Sequence, residues 1–161
     1  MPSERIRQAR LLAMIKGVES NVKKAEDLDR LANTATREIT DVWGKASVRN
    51  YIRMTEKVPT IHHVELSTKT EDLSYGTDAW TFMDKKAEYP IKMIPTQIKS
   101  DDDRVKEFKS GPKFKHANEI MIVINSNPKR GERKIVRDIS GELKRIRNKL
   151  TLLKGARRHK S

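Results

Sequence analysis

Two apolar segments carry the residues most suited to chemistry: Asp78 in GTDAWTFM, and Gln97-Ile98-Lys99 in PTQIKS. Strand side chains alternate faces, so Gln97 and Lys99 would project together while Ile98 enters the opposite layer. One hairpin would then bring all three residues within reach of a single metal ion. Hydrolysing a phosphodiester needs a water made nucleophilic near neutral pH and neutralisation of charge in the transition state, and a divalent ion supplies both. Lys99 can stabilise a nearby hydroxide or the developing negative charge. The amide carbonyl of Gln97 is a hard oxygen ligand but a neutral one, so such a site should need millimolar rather than micromolar metal.

These residues require a sheet to hold them. From Pro59 onward the pattern is that of strands: Thr60 to Leu66, Asp78 to Met83 and Ile91 to Ser100, with Ser67 to Asp72 as a loop and residues 84–90 as a hairpin connection. Pro95 cannot donate to a ladder, so regular pairing of the third strand is expected from Thr96. Asp101-Asp102-Asp103 suits a helix N-terminus, followed by a short helix from Arg104 to Lys109 that ends at Gly111-Pro112. Glu119 to Asn125 is nearly continuous in apolar character, as a strand buried on both faces would be. Upstream, residues 4–43 place Ile15, Val18, Val22, Ala25, Leu28, Leu31, Ala35, Ile39 and Val42 at helical spacing, with Gly44 as a stop. Asn50 to Lys57 fits helix or strand. Downstream, Val136, Ile139, Leu143, Ile146, Leu150 and Leu153 make a narrow seam on a final helix, suited to the sheet or to a homodimer contact.

The net charge of +13 is unevenly spread. Residues 129–161 hold 13 basic and 3 acidic side chains, against 12 and 12 in residues 51–128 and 10 and 7 in residues 1–50. A basic helix and tail beside a balanced middle predicts polyanion binding. The residues expected to meet phosphates are Lys129, Arg130, Arg133, Lys134, Arg137, Lys144, Arg145, Arg147, Lys149, Arg157 and Arg158. The absence of cysteine excludes disulfides, thiol catalysis and Cys-based zinc sites. No stretch approaches the roughly 18 apolar residues of a membrane span, and the N-terminus lacks a secretory pattern, so an intracellular protein with no membrane partner is expected. No glycine-rich phosphate loop or Ser-His-Asp arrangement is present, and no small-molecule cofactor is expected. His62 and His63 would lie on opposite faces of a strand and could not clamp one ion together. Trp80 and Phe82 share the face of Asp78 and read as partial core.

The order of helix, three strands, short helix, strand and helix, with Asp78 on the second strand and Gln97-Ile98-Lys99 on the third, resembles the PD-(D/E)xK nuclease superfamily. The likeness runs from about Ala35 to Asn125, and its specific parts are Gly76-Thr77-Asp78 and Pro95 to Ser100. It implies an α/β, restriction-endonuclease-like mixed sheet of about four strands flanked by helices, with a helical N-terminus and a long basic C-terminal helix. The expected organisation is a single domain: a helical segment 1–44 packing on the core, an α/β core 45–128, a basic helix 129–154 and a tail 155–161. The resemblance further implies a DNA endonuclease dependent on Mg²⁺, with Mn²⁺ able to substitute. In it Asp78 and Gln97 would coordinate the ion, Lys99 would orient or activate the attacking water, and either Glu38 or Glu65 would complete the site. DNA is the expected partner, RNA also fits, and a homodimer suits the cutting of two strands. The competing reading is a non-catalytic DNA- or RNA-binding protein that grips phosphates with its basic helix.

Overall fold

The computed structural model describes residue 8, residues 42–70, residue 72 and residues 76–159, with side chains as far as residue 156. Contacts divide the chain into two compact units, Met1–Lys45 and Ala46–Ser161. The helix expected over residues 4–43, Glu38 included, falls almost wholly outside the described residues. The described elements are helix α1 over residues 42–55, β1 (Ile61–Leu66), β2 (Ala79–Met83), a 3-10 turn (Lys85–Ala87), β3 (Met93–Lys99), α2 (Asp102–Lys109), α3 (Pro112–His116), β4 (Ile122–Asn125) and α4 (Glu132–His159). Among these residues no helix is long and apolar enough to cross a membrane.

The fold is α/β: a four-stranded mixed sheet in the order β1-β2-β3-β4, flanked by helices that include the long C-terminal one. The first two pairings are antiparallel and the last is parallel. One sheet face presents Ile61, Ala79, Met83, Ile94, Ile98, Ile122 and Ile124 to Tyr51 and Met54 of α1 and to Ile135, Ile139, Leu143 and Ile146 of α4. The apolar seam of α4 is therefore spent largely on its own core. Within that core a hydroxyl chain links Tyr51 Oη to Thr81 Oγ1 and Thr81 Oγ1 to Thr96 Oγ1, each at 2.7 Å. Burial pushes the Tyr51 phenol up to about 12, so it stays neutral. The other face is covered over β4 by Phe114, Met121 and Val123, with Val105 and Phe108 packed against them.

Several local expectations need correction. Gly44 does not stop a helix, because α1 runs through it to residue 55 and takes in most of the segment left open between helix and strand. The fourth strand starts at Ile122 rather than Glu119, since Asn118 and Glu119 adopt φ of 53° and 63° in a turn after α3. Proline 112 both ends α2 and opens α3 at its first turn, where a missing N–H costs nothing. Helix α4 continues to His159, five residues beyond its expected end. His62 and His63 do not simply alternate: the pairing register slips between Ile61 and His63, and their Nδ1 atoms lie 2.6 Å apart. His63 then stacks on Phe82 at 4.5 Å.

Pro95 is paired within β3, opposite Trp80, so the strand is regular from Met93. Even-numbered positions of β3 bond toward β2, with Lys92 O accepting from Met83 N and Thr96 O from Asp78 N. The Pro95 nitrogen therefore points the other way, where β4 begins only opposite Thr96. No ladder bond is lost.

The free edge of β4 is closed by charged side chains, mostly from α4. Glu142 accepts from Val123 N at 3.1 Å, Arg145 donates to the carbonyls of Glu119 and Met121 at 2.7 Å each, and Arg130 donates to Asn125 O at 2.8 Å. They occupy backbone groups that a fifth strand would otherwise pair with.

Candidate active site

Asp78 sits one residue before β2 and is held on both sides. Its N–H donates to Thr96 O at 2.9 Å, its carbonyl accepts from Ser67 N at 3.0 Å, and its Oδ2 accepts from Ile98 N at 2.8 Å. Ala79 pairs with Thr96, so the same register carried back one residue sets Asp78 opposite Gln97. Directly opposed residues on one sheet face have Cβ atoms about 5 Å apart. Lys99 follows two residues along the same face, with its Nζ 5.3 Å from the centre of the Phe108 ring. The hairpin thus brings Asp78, Gln97 and Lys99 to one face and one end of the sheet, opposite the face that buries Ile94 and Ile98.

Gln97 is only 6 % exposed, and its Oε1 is a buried oxygen with no hydrogen-bond partner among the described residues. Leaving such a group unsatisfied costs about 1–3 kcal/mol. Burial raises the Asp78 carboxyl from 3.8 to about 6; the hydrogen bond from Ile98 and the charge of Lys99 oppose the rise, and Asp72 adds to it by repulsion and by a hydrogen bond that favours the protonated form. A carboxylate that is costly to ionise beside an unsatisfied amide oxygen is a donor pair that a hard divalent cation would satisfy, so these residues fit such an ion.

Asp72 is a contributor that the sequence reading left out. It falls in the segment Ser67 to Asp72, whose sequence predicts a loop, and nothing in the spacing ties it to Asp78. Its backbone is fixed by Asp72 N donating to Thr68 O at 3.0 Å and by Gly76 N donating to Asp72 O at 2.9 Å. Glu65 lies on β1 opposite Trp80, exposed and 3.3 Å from His63 Nε2. By register it shares the sheet face of Asp78, displaced two residues along. Glu38 lies outside the described residues. Among those residues no cluster of three or more His, Asp or Glu side chains forms.

Next to Lys99 is a cleft of about 490 Å³ between α2 and α3, lined by Arg104, Glu107, Phe108, Pro112 and Lys113 as well as Lys99. Gly76, at φ 66°, lies directly beneath its wall: a Cβ there would stand 2.8 Å from Lys113 Cδ and 3.2 Å from the Phe108 ring. The segment that delivers Asp78 and the cleft are therefore contiguous.

The basic residues near and on α4 separate into two groups. Arg130, Arg145 and Lys149 are engaged within the fold: Arg130 binds Asn125 O and Asp138, Arg145 binds Glu142 and the Glu119 and Met121 carbonyls just before β4, and Lys149 pairs with Glu119, while Arg147 is exposed and lies 5.0 Å over the Tyr89 ring. Lys129, Arg133, Lys134, Arg137 and Lys144 are exposed. The side chains of Arg157 and Arg158 lie outside the described residues.

No protein-family model matches the sequence, and neither the curated proteins nor the solved structures contain a match to the chain.

Proposed function

We propose that the chain is a divalent-metal-dependent DNA endonuclease, Mg²⁺ being the natural ion and Mn²⁺ a substitute. The observation that carries this reading is the buried, unpartnered Gln97 Oε1 set across the hairpin from Asp78, with the charge of Lys99 beside them. The element order of α1, three antiparallel strands, α2 and α3, and a parallel β4 supports a restriction-endonuclease-like arrangement, in which such a hairpin supplies the centre.

When bound, the ion would lower the pKa of a coordinated water and neutralise charge on the scissile phosphate. The chain's own residues do the remaining work. Asp78 provides the anionic ligand, oriented by its bond from Ile98 N, and Gln97 adds a neutral oxygen from a side chain locked by burial. Lys99 places a positive charge where the attacking hydroxide and the phosphate oxygens would lie, its Nζ 5.3 Å from the centre of the Phe108 ring. Asp72 or Glu65 would complete the oxygen set. The exposed cations of α4 would hold flanking phosphates without reading sequence.

Plasmid nicking tests this directly. Wild-type protein with Mg²⁺ or Mn²⁺ should nick or linearise supercoiled DNA and EDTA should stop it, while Asp78→Asn and Lys99→Ala should lose cleavage yet keep salt-sensitive binding. Binding without cleavage by the wild type on duplex, junction and single-stranded DNA would leave a nucleic-acid-binding protein.

A further inference from the structure

We infer that the cleft between α2 and α3 is a subsite for one internal phosphodiester of the bound strand, next to the linkage positioned at Asp78. The inference rests on the nucleic-acid reading above but not on cleavage. Among the described residues Lys99, Arg104 and Lys113 bring three cations to the lining of the cleft, together with the carboxylate of Glu107. They come from three different elements, β3, α2 and the first turn of α3, so their convergence is a product of the tertiary fold rather than of one basic run. Arg104 is held only loosely, 3.6 Å from Asp101 with about half of its side chain exposed, and its guanidinium can turn into the cleft and bind phosphate oxygens in a forked manner. Phe108 and Pro112 give an apolar wall against which a sugar can rest.

The volume of about 490 Å³ exceeds what a lone phosphate fills and suits a nucleotide unit passing through. Continuity through Gly76 fixes the place of this phosphate relative to the centre. A strand lying along Asp78, Gln97 and Lys99 meets Arg104 and Lys113 at its neighbouring linkage, because Lys99 borders both sites.

Binding in EDTA, where no cutting occurs, separates this inference from the nuclease reading. A duplex no longer than one binding site, which leaves a single register, is scanned with single uncharged methylphosphonate linkages against wild type and the Arg104→Ala/Lys113→Ala double variant. One linkage should weaken wild-type binding about tenfold and leave the double variant unaffected, and the variant's salt slope should fall by about 1. Calorimetric Mn²⁺ binding by the double variant should match the wild type, showing that fold and centre persist. Equal sensitivity of both proteins at every linkage would overturn the inference. So would an effect confined to a 5′-terminal phosphate, or competition by inorganic phosphate that leaves DNA binding untouched. If wild type never cuts but the single-linkage effect appears, the nuclease reading fails and the subsite stands; if cleavage occurs without it, the reverse holds.

Discussion

Replacing Arg145 by alanine should damage the fold rather than DNA binding, although in sequence Arg145 is indistinguishable from its basic neighbours. Its guanidinium donates to the Glu119 and Met121 carbonyls, in the segment that leads into β4, and to Glu142 Oε2 at 2.6 Å. The Glu142 side chain is only 9 % exposed, so it loses one of its two cationic partners in a place where water cannot replace it. Breaking a buried ion pair costs about 3–5 kcal/mol. Glu142 keeps Lys109 at 3.0 Å and Val123 N at 3.1 Å, and Arg145 is itself 32 % exposed, which lowers the figure. We expect a loss of about 2–4 kcal/mol, or roughly 6–12 °C in Tm for a chain of this size. Thermal and urea melts of the full chain measure it. Lys144→Ala, one residue away and exposed, should melt like wild type and reduce the salt slope of DNA binding by about 0.9. An Arg145→Ala protein that melts like wild type while its DNA affinity falls would refute the assignment of Arg145 to the β4 edge.

Other outcomes follow from the centre and its support. Because the folded-state pKa of Asp78, about 6, lies above the ordinary 3.8, the site is least costly below pH 4 and stability is lost as pH rises through 6. Metal-free Asp78→Asn should therefore gain Tm over wild type at pH 8 and not at pH 3.5, which melts at the two pH values compare. Gln97→Glu adds a charge to the ligand set and should tighten Mg²⁺ binding at pH 8 by about tenfold or more, roughly 1.4 kcal/mol, read by calorimetry; an unchanged affinity would remove Gln97 from the ligand set. Gly76→Ala forces a left-handed residue and a contact with Phe108, and should cost about 1–2 kcal/mol in urea melts.

The strands were legible because apolar alternation and turn residues mark them, and β4 because it is buried on both faces. The alignment of Asp78 with Gln97 and Lys99 followed from period-two geometry once the hairpin connection at residues 84–90 was recognised. Other features depend on tertiary partners that one sequence does not encode locally. Pro95 is harmless only because β4 starts beyond it, and α3 is five residues long with a helix signal no stronger than a turn. The bulge at His62 reverses an inference that holds for any regular strand. A sequence counts cations, but only the fold shows that Arg130, Arg145 and Lys149 meet carbonyls and carboxylates while Arg147 lies exposed over a ring. Asp72 was hidden for the same reason, since its approach to Asp78 is made by the chain's return and not by spacing.

Anomalous diffraction from crystals soaked in Mn²⁺ tests the metal centre most directly. A peak within about 2.5 Å of both an Asp78 carboxylate oxygen and Gln97 Oε1, absent from Asp78→Asn crystals, is the predicted result. A peak elsewhere, or one that persists at full height in the variant, would contradict it.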